Sequence, residues 1–161
     1  MDYTHVDSAI GPLMLVGDTD ALYGLYFSTG DKARGVDPEW RHCERTFIDV
    51  AKQLKEYFAG KRKTFDVALQ PVGTPFQRSV WRALEDIAYG EVCSYADIAA
   101  VIEKPKAVRA VGTANGSNPL AIIVPCHRVV GKDGSLTGFG GGLPAKRYLL
   151  DLETRHSGLF A

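Results

Sequence analysis

The stretch Ile122-Ile123-Val124-Pro125-Cys126-His127-Arg128-Val129-Val130 decides how the second half of this chain is read. The four residues from Ala121 to Val124 form a short apolar run, the pattern of a buried strand. Pro125 has no N–H to donate, so it ends that strand or opens a turn. Cys126 follows at once, with an imidazole and a fixed positive charge beside it at His127 and Arg128. A thiol of pKa about 8.5 is only a few per cent ionised at neutral pH, and a nearby cation, histidine or helix N-terminus raises that fraction. A lone cysteine in an apolar run more often serves as a small hydrophobe. The Pro-Cys-His-Arg grouping favours a nucleophile instead. Consecutive side chains on a strand point to opposite faces. Cys126 and His127 can therefore cooperate only if the chain turns after Pro125 or a water bridges them.

Working upstream, Ala107, Val108, Ala110, Val111 and Ala114 belong to a helix that stops at Asn115-Gly116. Before it, Ser94 caps a shorter helix through Val101 that carries Tyr95, Ile98 and Ala99. Two short helices, the second basic and rich in small residues, fit a helix-turn-helix. Ala107, Ala110 and Gly112 would let the backbone approach a groove closely; an ordinary helix pair fits the pattern equally. Further back, Thr74 is an N-cap, with Pro75 at the first helical position and Gln77 completing a capping box. That helix is expected to reach about Ala88, with Phe76, Val80, Trp81, Leu84 and Ile87 inward.

Downstream, residues 128–130 and 135–137 flank Gly131-Lys132-Asp133-Gly134 as a hairpin, which would serve as a wing. Gly138-Phe139-Gly140-Gly141-Gly142 is a glycine-rich loop whose backbone N–H groups can approach a ligand, although a flexible connector reads the same way. It lacks the G-x-x-x-x-G-K-[ST] pattern, which removes P-loop nucleotide binding. Pro144 opens the last helix, running through Leu152 to Glu153, a surface carboxylate by default.

The first half reads as a scaffold. Residues 3–8, 13–16 and 22–27 are strands of an antiparallel meander, with turns at Gly11-Pro12 and at residues 17–20. Residues 28–38 form a loop. Residues 40–58 carry a helical apolar stripe that Gly60 ends, and residues 65–69 are a candidate further strand. Residues 70–74 are the linker. The expectation is an α+β chain: residues 1–73 a small α/β domain with linker, and residues 74–161 a mostly helical domain with a winged helix-turn-helix.

Composition narrows the classes. With 161 residues and 45% apolar content the chain can bury a real core. No apolar run approaches the roughly 18 residues of a membrane span, and the N-terminus lacks a signal-peptide pattern. Three widely spaced cysteines, Cys43, Cys93 and Cys126, argue against a disulfide framework and for a reducing cytoplasm. His5, His42 and Cys43 lack metal-ligand spacing, so no metal is expected. The net charge of zero argues mildly against nucleic acid, but Lys104, Lys106, Arg109, Arg128 and Lys132 fall in a stretch with no acid. Such a stripe suits a phosphate-facing surface, and also an ordinary solvated one.

Pro125-Cys126-His127-Arg128-Val129-Val130, with the glycine-rich loop that follows, closely resembles the O6-alkylguanine-DNA alkyltransferases. The likeness extends through Ser94-Tyr95, residues 107–112, residues 115–119 and residues 149–153. It covers essentially all of residues 74–161; the first half matches only in length and layout, where the family has a small α/β domain resembling ribonuclease H. The resemblance implies repair of DNA by direct reversal. An alkyl group would pass irreversibly from O6-alkylguanine, with O4-alkylthymine as a further candidate, to Cys126, once per chain and without cofactor. It makes His127 the base through a water, Glu153 the residue orienting His127, and Asn118 the brace of the turn before the site. Arg109 would replace the flipped base, and Tyr95 would rotate the target phosphate and bond the guanine. Ala107, Ala110, Gly112 and Arg128 join the DNA-binding set. The carbonyls of Cys126 and Val129 would read the guanine amino group, with the Gly140 N–H facing O6. The implied partner is double-stranded DNA entered from the minor groove by a monomer, with cooperative binding along the duplex left open.

Phe139 stands where the family commonly has tyrosine, and Val108 where some members have alanine. Three other classes remain at this point. A cysteine hydrolase with a Cys-His-Glu triad explains the cysteine stretch but not the basic helix pair. A non-enzymatic sensor of alkylated DNA would lack the acceptor cysteine, which is present. A winged-helix transcription factor leaves Pro-Cys-His-Arg an accident.

Overall fold

The structure is a computed structural model and describes residues 1–29 and 33–157. Strands β1 (Asp2–Val6), β2 (Leu13–Gly17) and β3 (Leu22–Phe27) pair antiparallel as expected. A two-residue strand, β4 (Arg41–His42), pairs parallel to β1 and completes the sheet in the order β3-β2-β1-β4. The helix expected from residue 40 therefore starts late. Residues 44–47 make a 3₁₀ turn, and α1 is Ile48–Phe58. Val50, Leu54 and Tyr57 recur on its buried face, and Gly60, at φ 76°, supplies the left-handed residue that ends it. The loop read over residues 28–38 lies partly outside the described residues.

Residues 65–69 do not form a strand. Only Leu69 bridges to Leu22, because this segment is anchored by side chains instead. The buried Gln53 amide donates to the Asp66 carbonyl and accepts from the Asp66 N–H.

The second half contains α2 (Pro75–Glu85), α3 (Tyr95–Val101), α4 (Val108–Gly116) and α5 (Leu143–Ser157). Both capping boxes close, Thr74 with Gln77 and Ser94 with Asp97. The helix α2 ends three residues before the expected Ala88, and Trp81 Nε1 donates to the Ala114 carbonyl at 2.8 Å, tying α2 to the end of α4. Two strand expectations fail. Ala121, Ile122 and Val124 are buried and Ile123 half-buried, but as a turn in which the β-branched Ile122 sits at φ 73°. Left-handed backbone costs an L-residue about 1–2 kcal/mol, here held by near-complete burial of the side chain. The short strand β6 (Val129–Val130) pairs parallel with β5 (Cys93–Ser94), not with residues 135–137. Of the expected hairpin only a turn remains, closed by the Gly131 N–H on the Ser135 carbonyl.

The two halves share one apolar core, from Leu13 and Leu25 through Trp81 to Leu149 and Leu152. The exposed edge of β3 also hydrogen-bonds the segment leading to the cysteine. The Leu25 N–H donates to the Pro119 carbonyl, and the Ala121 N–H to the Leu25 carbonyl. That junction fixes where the turn at residues 121–124 emerges.

Candidate active site

The chain does turn after Pro125. Residues Cys126–Arg128 form one 3₁₀ turn, so Cys126 and His127 are not held on opposite faces of a strand. Asn118 braces the approach, donating from Nδ2 to the Val124 carbonyl at 2.8 Å and accepting from the Leu120 N–H at 3.0 Å. Cys126, only 6% exposed, lines a cavity of about 460 Å³ together with Asn115, Asn118, Phe139 and Gly140. Leu25, Phe27 and Arg34 of the first half line the same cavity. Phe139 packs edge-on against Phe27 at 5.2 Å, and the guanidinium of Arg34 stacks over Tyr26 and Trp40.

Beneath the cysteine lies a buried polar network. Glu153, read from sequence as a surface carboxylate unless the family applied, is 1% exposed. Its Oε2 accepts from His127 Nε2 at 2.8 Å, and Arg128 donates from Nε to Oε1 at 2.8 Å and from Nη2 to Oε2 at 2.9 Å. Burial pushes the Glu153 carboxyl up, but the hydrogen bonds and charges of His127 and Arg128 outweigh it and bring it down to about 2. For His127 the balance is opposite: burial pushes the imidazole below its ordinary range despite the carboxylate beside it. His127 is thus neutral at pH 7. An ionised carboxylate can only accept, so the proton sits on Nε2 and the lone pair on Nδ1. That Nδ1 is buried and has no hydrogen-bond partner among the described residues.

Arg128 is a correction to the expected DNA-binding set. It is 7% exposed, and its guanidinium is committed to Glu153 and, through Nη1, to the Ile87 carbonyl. It therefore drops out of the basic stripe. The rest of that set belongs to α3, α4 and the approach to α4 and does not line the cavity: Arg109 and Ala110 are exposed and Ala107 is half-buried. Gly112 is half-buried and faces Tyr95, whose ring a Cβ there would meet at 3.8 Å. Tyr95 hydrogen-bonds Thr137 at 2.6 Å, linking α3 to the approach of the glycine-rich loop. Val129 is fully buried, and its carbonyl accepts from Lys146 Nζ at 2.7 Å. The Cys126 carbonyl accepts from Asn115 Nδ2 at 3.4 Å. The Cys126 carbonyl also accepts from the Val129 N–H, so both its lone pairs are engaged.

Three residues escaped the sequence reading. Lys146, fully buried, also donates to the Thr137 carbonyl at 3.0 Å, and burial pushes its amine below the ordinary lysine range. Asn115 is buried against the cavity, and its Oδ1 has no hydrogen-bond partner among the described residues. Tyr57, on α1, donates its hydroxyl to Glu153 Oε2 at 2.6 Å. Lys146 carries a faint signal, a lysine on the apolar side of a helix; the other two carry none.

The remaining cysteines do not share this setting. Burial pushes the Cys93 thiol up to about 11, and Cys43 stands next to β4, away from the cavity. Among the described residues no group of three or more His, Cys, Asp or Glu side chains is placed to hold a metal. No helix among them is long and apolar enough to cross a membrane.

Residues 75–155 match the family described as 6-O-methylguanine DNA methyltransferase, DNA binding domain, and residues 1–71 its ribonuclease-like domain. A methylated-DNA–protein-cysteine methyltransferase of Methanosarcina acetivorans is 51% identical over 95% of this chain and 98% of its own length. One from Mycolicibacterium paratuberculosis is 50% identical over 98% and 94%. Among solved structures, Mycobacterium tuberculosis OGT in complex with DNA superposes with a TM-score of 0.91 at 47% identity, covering 97% of this chain and 94% of that one. Two independent domain matches and half-identity along nearly the whole length leave one assignment: this chain belongs to the 6-O-methylguanine DNA methyltransferase family.

Proposed function

We propose that this chain repairs DNA by moving an alkyl group from O6-alkylguanine onto its own Cys126, irreversibly and once per molecule. Repair of methylated DNA by transfer to a protein cysteine is the activity of the family, and DNA is the partner. One observation carries the choice of Cys126: its thiol borders the cavity while the neighbouring His127 keeps a buried, unpartnered Nδ1 lone pair. His127 Nδ1 accepts the thiol proton through a water, and Glu153, holding Nε2–H, steadies the imidazolium that forms. The thiolate then attacks the alkyl carbon, and the carbon–oxygen bond breaks with its electron pair passing to guanine O6. The guanine gains one proton, balancing the one taken from the thiol. The product is a thioether on an unactivated carbon, and among the described residues lining the cavity there is no second cysteine, histidine or lysine to displace the sulfur.

The finer assignments follow the same reading. Residues 1–73 are the supporting domain and residues 74–161 the DNA-binding and transfer domain. Within the latter, α3 and α4 act as the helix-turn-helix of a winged domain, with α4 entering the minor groove. Arg109 fills the gap left by the flipped base, and Tyr95 bonds the guanine and target phosphate. Phe139 and Gly140 close the pocket, and Val129 reads the base through its remaining lone pair. The chain works as a monomer in the cytoplasm, where a thiol stays reduced. O4-alkylthymine is a second substrate to test.

The test is stoichiometry. Incubation with a tenfold excess of methylated duplex should plateau near one methyl per chain, located on Cys126 by mass spectrometry, and Cys126→Ser should gain none. Continued turnover without cofactor overturns the reading and favours a hydrolase.

A further inference from the structure

We propose that Tyr57, from the N-terminal half, is a positioning residue of the transfer site that sets how tightly His127 holds a proton. The inference rests on the reading of His127 as the base for Cys126. It starts from an asymmetry in the Glu153 carboxylate. Oε1 accepts one hydrogen bond, from Arg128 Nε, whereas Oε2 accepts three. These come from His127 Nε2 at 2.8 Å, Arg128 Nη2 at 2.9 Å and the Tyr57 hydroxyl at 2.6 Å. An O–H donor this close to a carboxylate forms a short, charge-assisted bond. Tyr57 and His127 therefore draw on the same oxygen, and charge engaged by the phenol is withheld from the imidazolium.

The phenol is built to stay where it is. Tyr57 is fully buried, and its ring meets Phe58, Phe65 and Tyr89 at centroid distances of 5.3, 5.5 and 6.3 Å. Burial, with Glu153 beside it, pushes its hydroxyl up, so it remains a donor throughout the physiological range. A ring needed only for packing would do as well as phenylalanine; the hydroxyl has Glu153 as its acceptor. The other charged or titratable groups around His127 are Arg128 on its own turn, Lys146 and Glu153 on α5, and Cys126. The Arg128 guanidinium lies over the Tyr89 ring at 5.7 Å, and Arg155 acts on Tyr89 in turn. Among the described residues, Tyr57 is the contribution of the first half to this network.

Tyr57→Phe keeps the ring and removes only the donor. Oε2 is then less satisfied and holds the protonated imidazole more strongly. The assay is the rate of transfer from the isolated base O6-benzylguanine between about pH 5 and pH 9, for the wild type, Tyr57→Phe and His127→Ala. The wild type should show an acid limb that His127→Ala abolishes. In Tyr57→Phe the midpoint of that limb should rise by about half to one pH unit, a roughly three- to tenfold change in proton affinity. A 3-fluorotyrosine placed at position 57 alone, a stronger donor, should move it the other way, which keeps the test open should Tyr57→Phe fold poorly. An unmoved midpoint with only a lower melting temperature makes Tyr57 a packing residue and overturns the inference while leaving His127 as the base. An acid limb that survives His127→Ala overturns the base assignment as well.

Discussion

Replacing Glu153 with glutamine should destabilise the fold as well as slow transfer, and the size of the loss follows from the network. Glu153 falls from an ordinary 4.5 to about 2 on folding, the donors overcoming the cost of burial. Roughly two and a half units at about 1.4 kcal/mol each give about 3 kcal/mol at pH 7. That agrees with the 3–5 kcal/mol typical when one partner of a buried ion pair is removed, here leaving Arg128 uncompensated. At 1% exposure, solvent screening offers little discount. For a chain of this size, about 3 kcal/mol corresponds to roughly 10 °C in melting temperature. The pH dependence has a definite sign. A carboxyl with a depressed folded pKa contributes stability that is full above about pH 4.5 and lost as pH falls through about 2. The gap between wild type and Glu153→Gln should therefore be widest near neutrality and shrink below about pH 4. Burial lowers the His127 pKa, so both proteins also lose stability as pH falls below about 6.5; because the carboxylate acts on His127 as well, the gap is measured in a His127→Ala background to isolate Glu153. Urea denaturation at stepped pH measures it. A gap of under about 1 kcal/mol at pH 7, or one that stays constant down to pH 3, would refute the charged network.

Two further outcomes test the DNA face. Arg109→Ala should slow repair of methylated duplex more than reaction with O6-benzylguanine, because extrusion costs a few kcal/mol that an isolated base does not require; equal losses on both substrates count against the finger role. DNA affinity should fall with salt, with a logarithmic slope no steeper than about −4, since Lys104, Lys106, Arg109 and Lys132 are exposed while Arg128 is spent inside. A salt-independent affinity in a filter-binding titration would return these residues to an ordinary solvated face.

Local signals in the sequence carried far. Thr74-Pro75-Phe76-Gln77 and Ser94-Tyr95-Ala96-Asp97 announce helix starts because a capping box needs only residues three apart, and both boxes close. The meander is equally legible, since alternation and turn residues act within a few positions. Pro125-Cys126-His127-Arg128 marks the reactive stretch, and the likeness it carries names the family that the comparisons establish. What stayed hidden depends on partners distant in the chain. An apolar run such as Ala121–Val124 states that it is buried, not in what backbone shape; its docking on the edge of β3 turns it into a strained turn. Val129-Val130 pairs with Cys93-Ser94 rather than with its neighbour across the turn. Arg128 reads as a surface cation until Glu153 is found 25 residues away, and Tyr57 reads as a core aromatic although its hydroxyl meets the same carboxylate across 96 residues. Sequence alone determined the chemistry available, the two capped helix starts and the strands of the meander, because those follow from residue type and near neighbours. Tertiary structure alone decided which charges face inward and which hydroxyl reaches the base, because burying a charge is tolerable only when the fold delivers its partners to the same point.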